Sequence, residues 1–95
     1  MIVAQISIAP VGEGVELHRY VKSAIEEIKK SGIKYEINAM ATVVEVSDLD
    51  TLFKVIKSAH NAVLKQGAKR VITEIKIDDR KDKDATIESK VSAVK

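Results

Sequence analysis

The stretch YEINAMATVVEV, from Tyr35 to Val46, decides the fold, because its residues favour a strand throughout and include neither Gly nor Pro. A single strand of these 12 residues would exceed the usual strand length. The alternation of side chains argues against it. Tyr35 and Ile37 share one face, and uninterrupted alternation would add Val43, not Val44, to that face. The odd offset is typical of a turn, so we predict a hairpin.

The turn of this hairpin is predicted near Asn38–Ala41. Asparagine tolerates the left-handed backbone conformation better than most residues do. A tight turn is therefore possible at Asn38 without glycine.

Two further strands are predicted, one on each side of the hairpin in the chain. Residues 2–9 alternate apolar side chains with small or polar ones, and residues 70–78 do the same. Pro10 ends the first of these strands.

Helical spacing of apolar residues separates these strands from the hairpin. The pattern covers residues 17–28 and 49–63, and glycines follow at both C-terminal ends. Ser47 is the predicted cap of the second helix, with Asp50 three residues later. A short third helix is predicted within Ala85–Lys95.

The resulting order, β-α-β-β-α-β, is that of the ferredoxin-like fold. We predict an α+β protein with a four-stranded antiparallel sheet, two helices on one face and a short C-terminal helix. Residues 1–95 are expected to form one domain.

The face of the sheet without the two helices is expected to need a partner. It combines polar side chains with Val3, Val43 and Ile72, which are too apolar for a fully solvated surface. An unprotected hairpin edge also favours pairing with another chain. We therefore predict a homotetramer, a dimer of dimers, assembled through sheet edges or sheet faces.

Composition excludes several classes of function. Sixteen basic and 14 acidic residues are too balanced for a nucleic-acid-binding surface, and we expect no stacking aromatic side chain on the open face of the sheet. No apolar run reaches membrane-spanning length, no signal peptide is recognisable, and there is no cysteine. We expect a cytoplasmic protein with neither nucleic-acid nor membrane partners.

Catalytic and metal-binding patterns are also missing. His18 and His60 lie on different predicted helices, and the acidic run at residues 78–84 lacks the Gly and Glu of a calcium loop. No nucleophile has a histidine in a recognisable arrangement. We predict no metal, no cofactor and no enzymatic activity.

The hairpin carries the polar cluster that is the strongest candidate for a binding site. It comprises Asn38, Met40, Thr42 and Glu45, with Thr73 on a neighbouring strand. Glu45 interrupts a valine-rich strand, where burial without a partner would be costly. Either it pairs with a basic residue such as Lys76 or one of another subunit, or it accepts hydrogen bonds from a heterocyclic or cationic ligand.

The segment SGIKYEINAMATVVEV, with the later AH, RVITEIKIDDRKDKD and ESKV, resembles the small thiamine-binding-protein family, which is related to the YkoF type. The resemblance extends over essentially the whole chain. It implies a ferredoxin-like fold, tetramers formed by sheet association and, in some members, binding of thiamine or its hydroxymethylpyrimidine half.

The resemblance also implies particular site positions. Ala39, Ala41 and Val46 depart from the family pattern, which often has Pro, Gly and Gly there, so the added side chains at the turn are expected to narrow the pocket. The matching positions are Met40, Thr42 and Glu45 in an M-x-T-x-x-E segment, and Arg70, Thr73, Asp78 and Arg80 around the last strand.

Our first interpretation is a non-catalytic binding protein for thiamine or hydroxymethylpyrimidine. Met40 and the apolar strand face would hold the ring, while Glu45 and either Asn38 or Thr42 would bind the aminopyrimidine edge. The alternative is an interaction protein whose tetramer is the functional unit and whose ligand site is vestigial. It predicts a basic protein partner for Glu45 and no cavity beside Met40.

Overall fold

The computed structural model describes residues 1–95, with four strands and three helices. None of the helices combines the length and apolar character needed to span a membrane. The elements are β1 (Ile2–Pro10), α1 (His18–Lys30), β2 (Lys34–Ile37), β3 (Thr42–Val46), α2 (Leu49–Lys65), β4 (Val71–Asp79) and α3 (Ile87–Ser92).

The four strands form one sheet in the order β2-β3-β1-β4, and every neighbouring pair is antiparallel. Helices α1 and α2 share one apolar core with β1 and β3. This arrangement confirms the predicted ferredoxin-like α+β fold. The predicted third helix is also present, as α3.

The hairpin between β2 and β3 has a four-residue loop. Ile37 pairs with Thr42 in the ladder, and the backbone N–H of Asn38 donates a hydrogen bond to the carbonyl of Ala41 at 2.9 Å. No residue other than glycine has a positive φ angle, so Asn38 does not use the left-handed conformation that asparagine tolerates. The wider loop reverses the chain without a residue in that conformation.

The predicted division of side chains between the two faces is confirmed. Ile6 and Val44 lie in the core under the helices, whereas Gln5, their neighbour on the open face, is exposed. The core is built from fifteen buried residues: Ile2, Ala4, Ile6, Ile8, Tyr20, Ala24, Ile28, Val44, Val46, Leu52, Val55, Ile56, Ala59, Val63 and Ala68.

The predicted C-terminal end of α1 is confirmed, whereas the predicted N-terminal cap of α2 is wrong. Gly32 follows α1 with φ of 78°, as expected for a residue just past a helix C-terminus. The cap of α2 is Asp48 and not Ser47, since the Asp48 carboxylate accepts a hydrogen bond from the Thr51 N–H at 2.7 Å. The Ser47 hydroxyl donates to that carboxylate instead.

Helix α3 crosses the open face of the sheet. Glu45 on β3 accepts a hydrogen bond from the Ile87 N–H, and Asp78 on β4 accepts one from Lys90. Val3 lies between them, because it is the register partner of both Glu45 and Asp78. The chain itself therefore covers Val3, which is 8% exposed, contrary to the expectation that another subunit would do so.

Candidate functional site

A cavity of about 190 Å³ opens between α1, β1 and the β2–β3 hairpin. Its walls come from residues 6–9 of β1, from residues 37–42 around the hairpin turn, and from one side of α1. The residues of α1 that line it are Val21, Ala24, Ile25 and Ile28. The lining is mainly apolar and contains no charged side chain.

Thr42 is the one buried polar residue of the protein, and it lies in the cavity wall. Its position follows from the strand register, since it is opposite Ile6 on the helix-covered face. The Thr42 hydroxyl forms no hydrogen bond with another protein group. Every completely buried polar side-chain atom does have such a partner, so this hydroxyl keeps some access to the solvent although Thr42 is only 7% exposed. It can therefore bind a polar group of a ligand.

The hairpin turn supplies two further groups at the cavity mouth. Asn38 uses its backbone N–H to close the turn, and its side-chain amide makes no hydrogen bond within the protein. Met40 is 88% exposed at the edge of the cavity. Because methionine is flexible and polarisable, the Met40 side chain can pack over a flat ring at this place.

Glu45 lies on the opposite face of the sheet and does not line this cavity. Its carboxylate accepts a hydrogen bond from the backbone N–H of Ile87, the first residue of α3, at 2.8 Å. Its cross-strand neighbour is Lys34, whereas Lys76, the partner considered from the sequence, is not paired with it. The pKa of Lys34 is raised, mainly by a hydrogen bond to Glu88 and to a smaller extent by the Glu45 charge.

Thr73 is also outside the cavity. It lies on β4 opposite Ile8, and its hydroxyl is 2.7 Å from Nδ1 of His60 on α2. This contact ties α2 to the outer strand of the sheet. The structure thus brings Asn38, Met40 and Thr42 together and places Glu45 and Thr73 elsewhere.

The other positions implied by the family resemblance have local partners. Arg70 accepts a backbone hydrogen bond from the Val11 N–H at 2.8 Å through its carbonyl. Asp78 is bound by Lys90, and Arg80 forms an ion pair with Asp82. These contacts fasten the ends of β4 and α3, and none of the three residues lines the cavity.

The departures from the family pattern leave the cavity open. Ala39 and Ala41 are part of its lining, so their methyl groups narrow it without filling it. Val46 is 3% exposed in the main core and takes no part in the cavity.

The wall formed by α1 was missing from the sequence-based site. Val21, Ala24 and Ile25 belong to the apolar stripe of this helix, which by its pattern indicates only core packing. Val21 is nevertheless 36% exposed, because the helix and the hairpin turn do not close over one another completely. The sequence contains no signal that separates these wall positions from ordinary core positions.

The chemistry of the cavity suits a small, neutral, flat group. Its volume lies below the roughly 300–1,000 Å³ that is usual for drug-sized ligands, so it can take one ring rather than a two-ring molecule. Apolar walls would contact the faces of such a ring. The Thr42 hydroxyl and the Asn38 amide can bond donors and acceptors at its rim.

Comparison with known proteins gives a consistent result over the whole length of the chain. A family model described as "Thiamine-binding protein" matches residues 4–95. A UPF0045 protein of Methanothermobacter thermautotrophicus is 45% identical, with 100% of this chain and 97% of the relative covered. Another UPF0045 protein, from Methanocaldococcus jannaschii, is 50% identical over 98% of this chain and 91% of its own length.

Solved structures agree with these matches. The crystal structure of the M. jannaschii protein superposes with a TM-score of 0.90 at 49% identity, covering 98% of this chain and 94% of that one. A Thermotoga maritima structure, described as a candidate thiamine biosynthesis or salvage protein, has a TM-score of 0.84 at 31% identity. That alignment covers 99% of this chain and 98% of the other.

Proposed function

The chain belongs to the thiamine-binding protein family, and we propose that it binds the pyrimidine ring of thiamine, or free hydroxymethylpyrimidine, between α1 and the hairpin. The observation that carries the proposal is the accessible Thr42 hydroxyl in an otherwise apolar wall. A thiamine-related role is also supported by the description of the T. maritima structure.

The proposed contacts follow from the donors and acceptors available at the cavity. An aminopyrimidine presents a ring nitrogen acceptor beside an amino donor, and the side-chain amide of Asn38 offers the complementary pair. The Thr42 hydroxyl can bond a second ring nitrogen or a hydroxymethyl group. Met40 would cover one face of the ring, and in thiamine the second ring would extend past Met40 into solvent, because the cavity is too small for both.

We propose binding without chemical change of the ligand. No titratable side chain lines the cavity, so the bound ring would have no general acid or base within hydrogen-bond reach. Glu45 is not given a ligand contact in this proposal, because its carboxylate is bound to α3 on the other face.

Calorimetric titration with hydroxymethylpyrimidine and with thiamine tests the proposal. We expect one site per chain for each, and a rise in melting temperature with ligand concentration. The absence of both heat and melting shift at millimolar ligand would contradict it and favour an interaction protein with a vestigial site.

A cavity-filling variant makes the test specific to this place. Ala24 is buried in the cavity wall, so Ala24→Leu should occupy the space of the ring and abolish binding while the protein stays folded. Ala62→Leu on α2 is the matched control, since Ala62 is outside the cavity and its variant should bind normally. Equal binding by both variants would place the ligand elsewhere.

We also propose that the chain forms a homotetramer, a dimer of dimers. Helix α3 covers only one end of the open face, which leaves Val43 partly exposed and Ile72 45% exposed. These side chains would be buried by packing of two sheets face to face. Both edge strands, β2 and β4, are also free to pair with another chain.

Native mass spectrometry tests this assembly. Val43→Lys should split the tetramer into smaller species, because a charge would be buried between the sheets. Lys81→Ala should leave it intact, because Lys81 forms only an exposed ion pair with Asp79. A wild-type protein that is monomeric at micromolar concentration would contradict the proposal.

A further inference from the structure

Strand β1 continues past the end of its neighbour β3 at the cavity. It pairs with β3 only as far as Ile6 and Thr42, whereas its pairing with β4 continues to Pro10 and Val71. Beyond Ile6, the edge of β1 that faces β3 therefore has no strand beside it. Residues 6–9 line the cavity, so this unpaired edge forms part of the cavity wall.

The direction of each backbone group along β1 follows from the antiparallel ladder. In such a ladder the N–H and C=O of one residue point to the same neighbouring strand, and those of the next residue point to the other side. The Val11 N–H donates to the Arg70 carbonyl at 2.8 Å, which continues the ladder with β4. The odd-numbered residues of β1 therefore face β4, and the even-numbered residues face β3.

The hairpin turn leads to the same assignment from the other side. The Asn38 N–H donates to the Ala41 carbonyl, so Ala41 faces β2 and the next residue, Thr42, faces β1. Thr42 lies opposite Ile6, which is even-numbered as required. Pro10 also fits, because the N–H that proline lacks would point to the side without a neighbouring strand.

Ile8 consequently presents both its backbone N–H and its C=O to the gap. One further pair in the ladder would place Ile8 opposite Met40, but Met40 belongs to the turn, and neither of its backbone groups makes a backbone hydrogen bond. Ile8 has no backbone hydrogen bond to any residue of the turn. Pro10, the next residue on this side, offers only a carbonyl. The cavity thus occupies the place of a missing pair in the ladder.

Such a gap suits a flat group with a hydrogen-bond acceptor beside a donor. The N–H and C=O of one strand residue normally bond the C=O and N–H of the residue opposite, so a ligand edge that carries an adjacent acceptor and donor can replace that residue. An aminopyrimidine has this edge, since its ring nitrogen accepts and its amino group donates. A backbone pair held in a strand also loses less freedom on binding than the exposed Asn38 side chain does.

We propose that the backbone of Ile8 recognises the aminopyrimidine edge: its N–H donates to the ring nitrogen, and its C=O accepts one amino hydrogen. The ligand takes the place of the strand residue that is missing opposite Ile8. The second amino hydrogen is left for the side-chain oxygen of Asn38. The inference rests on the proposed binding of the pyrimidine ring, and it adds the groups that select this ring.

Replacement of Ile8 by its α-hydroxy acid in a synthetic chain tests the N–H, because the resulting ester keeps the side chain and removes this donor. Affinity for hydroxymethylpyrimidine, measured by calorimetry, should fall about five- to tenfold. The same replacement at Ile6 is the matched control. It removes the ladder bond to Thr42, so it should lower the melting temperature more and the affinity less. Both esters weaken the preceding carbonyl, which faces β4 in each case, so this effect is common to the two variants.

Amide hydrogen exchange, followed by NMR, provides a second measurement on the unmodified protein. Without ligand, the Ile8 amide should exchange at least about a hundredfold faster than the Ile6 amide, which is paired with Thr42. Saturation with hydroxymethylpyrimidine should slow the exchange of Ile8 and shift its amide proton resonance downfield. An Ile8 amide that is as protected as that of Ile6 in the free protein would overturn the inference, because its N–H would already be paired.

The outcomes separate this inference from the proposed function. If hydroxymethylpyrimidine binds the wild type with measurable heat and the Ile8 ester keeps full affinity, the role of Ile8 is wrong although the proposed function stands. Loss of binding in Asn38→Ala together with full affinity of the ester would assign the aminopyrimidine edge to the Asn38 side chain instead. The absence of binding to the wild type would overturn both proposals.

Discussion

Thr42 and Glu45 are three residues apart on the same short strand, yet they have unrelated roles in the structure. Thr42 points into the helix-covered face, where its hydroxyl is accessible in the cavity wall. Glu45 points to the open face, where its carboxylate binds the first N–H of α3. Because side chains alternate along a strand, residues at an odd spacing are separated by the sheet itself. The threonine and the glutamate of the M-x-T-x-x-E segment therefore lie on opposite faces of the sheet.

The two faces that these residues occupy also differ in how firmly they are covered. The helix-covered face is closed by helices of 13 and 17 residues, which share its core. The open face is covered at one end only, by the six-residue α3. We therefore expect substitutions to have larger effects on stability on the first face than on the second.

The largest difference in stability between the two faces should appear when one buried isoleucine on each face is truncated to alanine. Ile28→Ala in α1 should lower the free energy of unfolding by about 2–5 kcal/mol, since Ile28 is 2% exposed in the main core. Ile87→Ala in α3 should cost less, because a short terminal helix can detach without global unfolding. Urea denaturation measures both, and equal losses would show that α3 is an integral part of the core.

Removal of the Glu45 carboxylate should have the next largest effect on the free energy of unfolding. Glu45→Ala leaves the Ile87 N–H without its partner, so we expect a loss of about 1–2 kcal/mol in stability. Glu45→Gln retains an acceptor and should lose less. Neither variant should change the affinity for hydroxymethylpyrimidine in calorimetry. Weaker binding with unchanged stability would instead make Glu45 a ligand contact.

Thr42→Val should act on the ligand and not on the fold. It removes the accessible hydroxyl at nearly constant shape, so affinity for hydroxymethylpyrimidine should fall about five- to tenfold, or roughly 1 kcal/mol. Thr73→Val is the matched control, because Thr73 bonds His60 outside the cavity and should not affect affinity. If the two variants bind alike, the cavity is not the binding site.

The smallest expected effect on stability concerns the exposed ion pair between Lys90 of α3 and Asp78 of β4. A hydrogen bond from Lys90 lowers the pKa of Asp78, so its contribution to stability is present above the ordinary carboxyl pKa of about 3.9. It is lost as pH falls through the lower, folded-state value. Asp78→Asn should therefore be slightly less stable than wild type near neutral pH.

Urea denaturation midpoints, measured from neutral to strongly acidic pH, test whether the contribution of Asp78 to stability is lost as the pH falls. The difference between Asp78→Asn and wild type should vanish in strong acid, where both side chains are neutral. Lys81→Ala, which removes another exposed pair, should give little change at any pH. A constant deficit of Asp78→Asn at all pH values would mean that the substitution acts through packing and not through charge.

Local patterns in the sequence determined most of the fold. The odd offset between Ile37 and Val44 predicted the hairpin, and period-two alternation assigned side chains to the correct faces. These features depend on neighbouring residues and on the period of a strand or helix, so they can be recognised in one chain. The same alternation already separates Thr42 from Glu45, although we grouped both with the polar residues of the hairpin as one cluster.

The tertiary structure alone decided what each polar side chain contacts. The partner of Glu45 is 42 residues away in the chain, and the wall opposite Thr42 comes from α1. Such contacts depend on how far a helix and a turn stand apart, and on where a terminal helix crosses the sheet. No local period encodes those distances, because they result from packing of side chains that are remote in sequence. The cavity exists because the side chains of α1 and the hairpin turn do not fill the space between them.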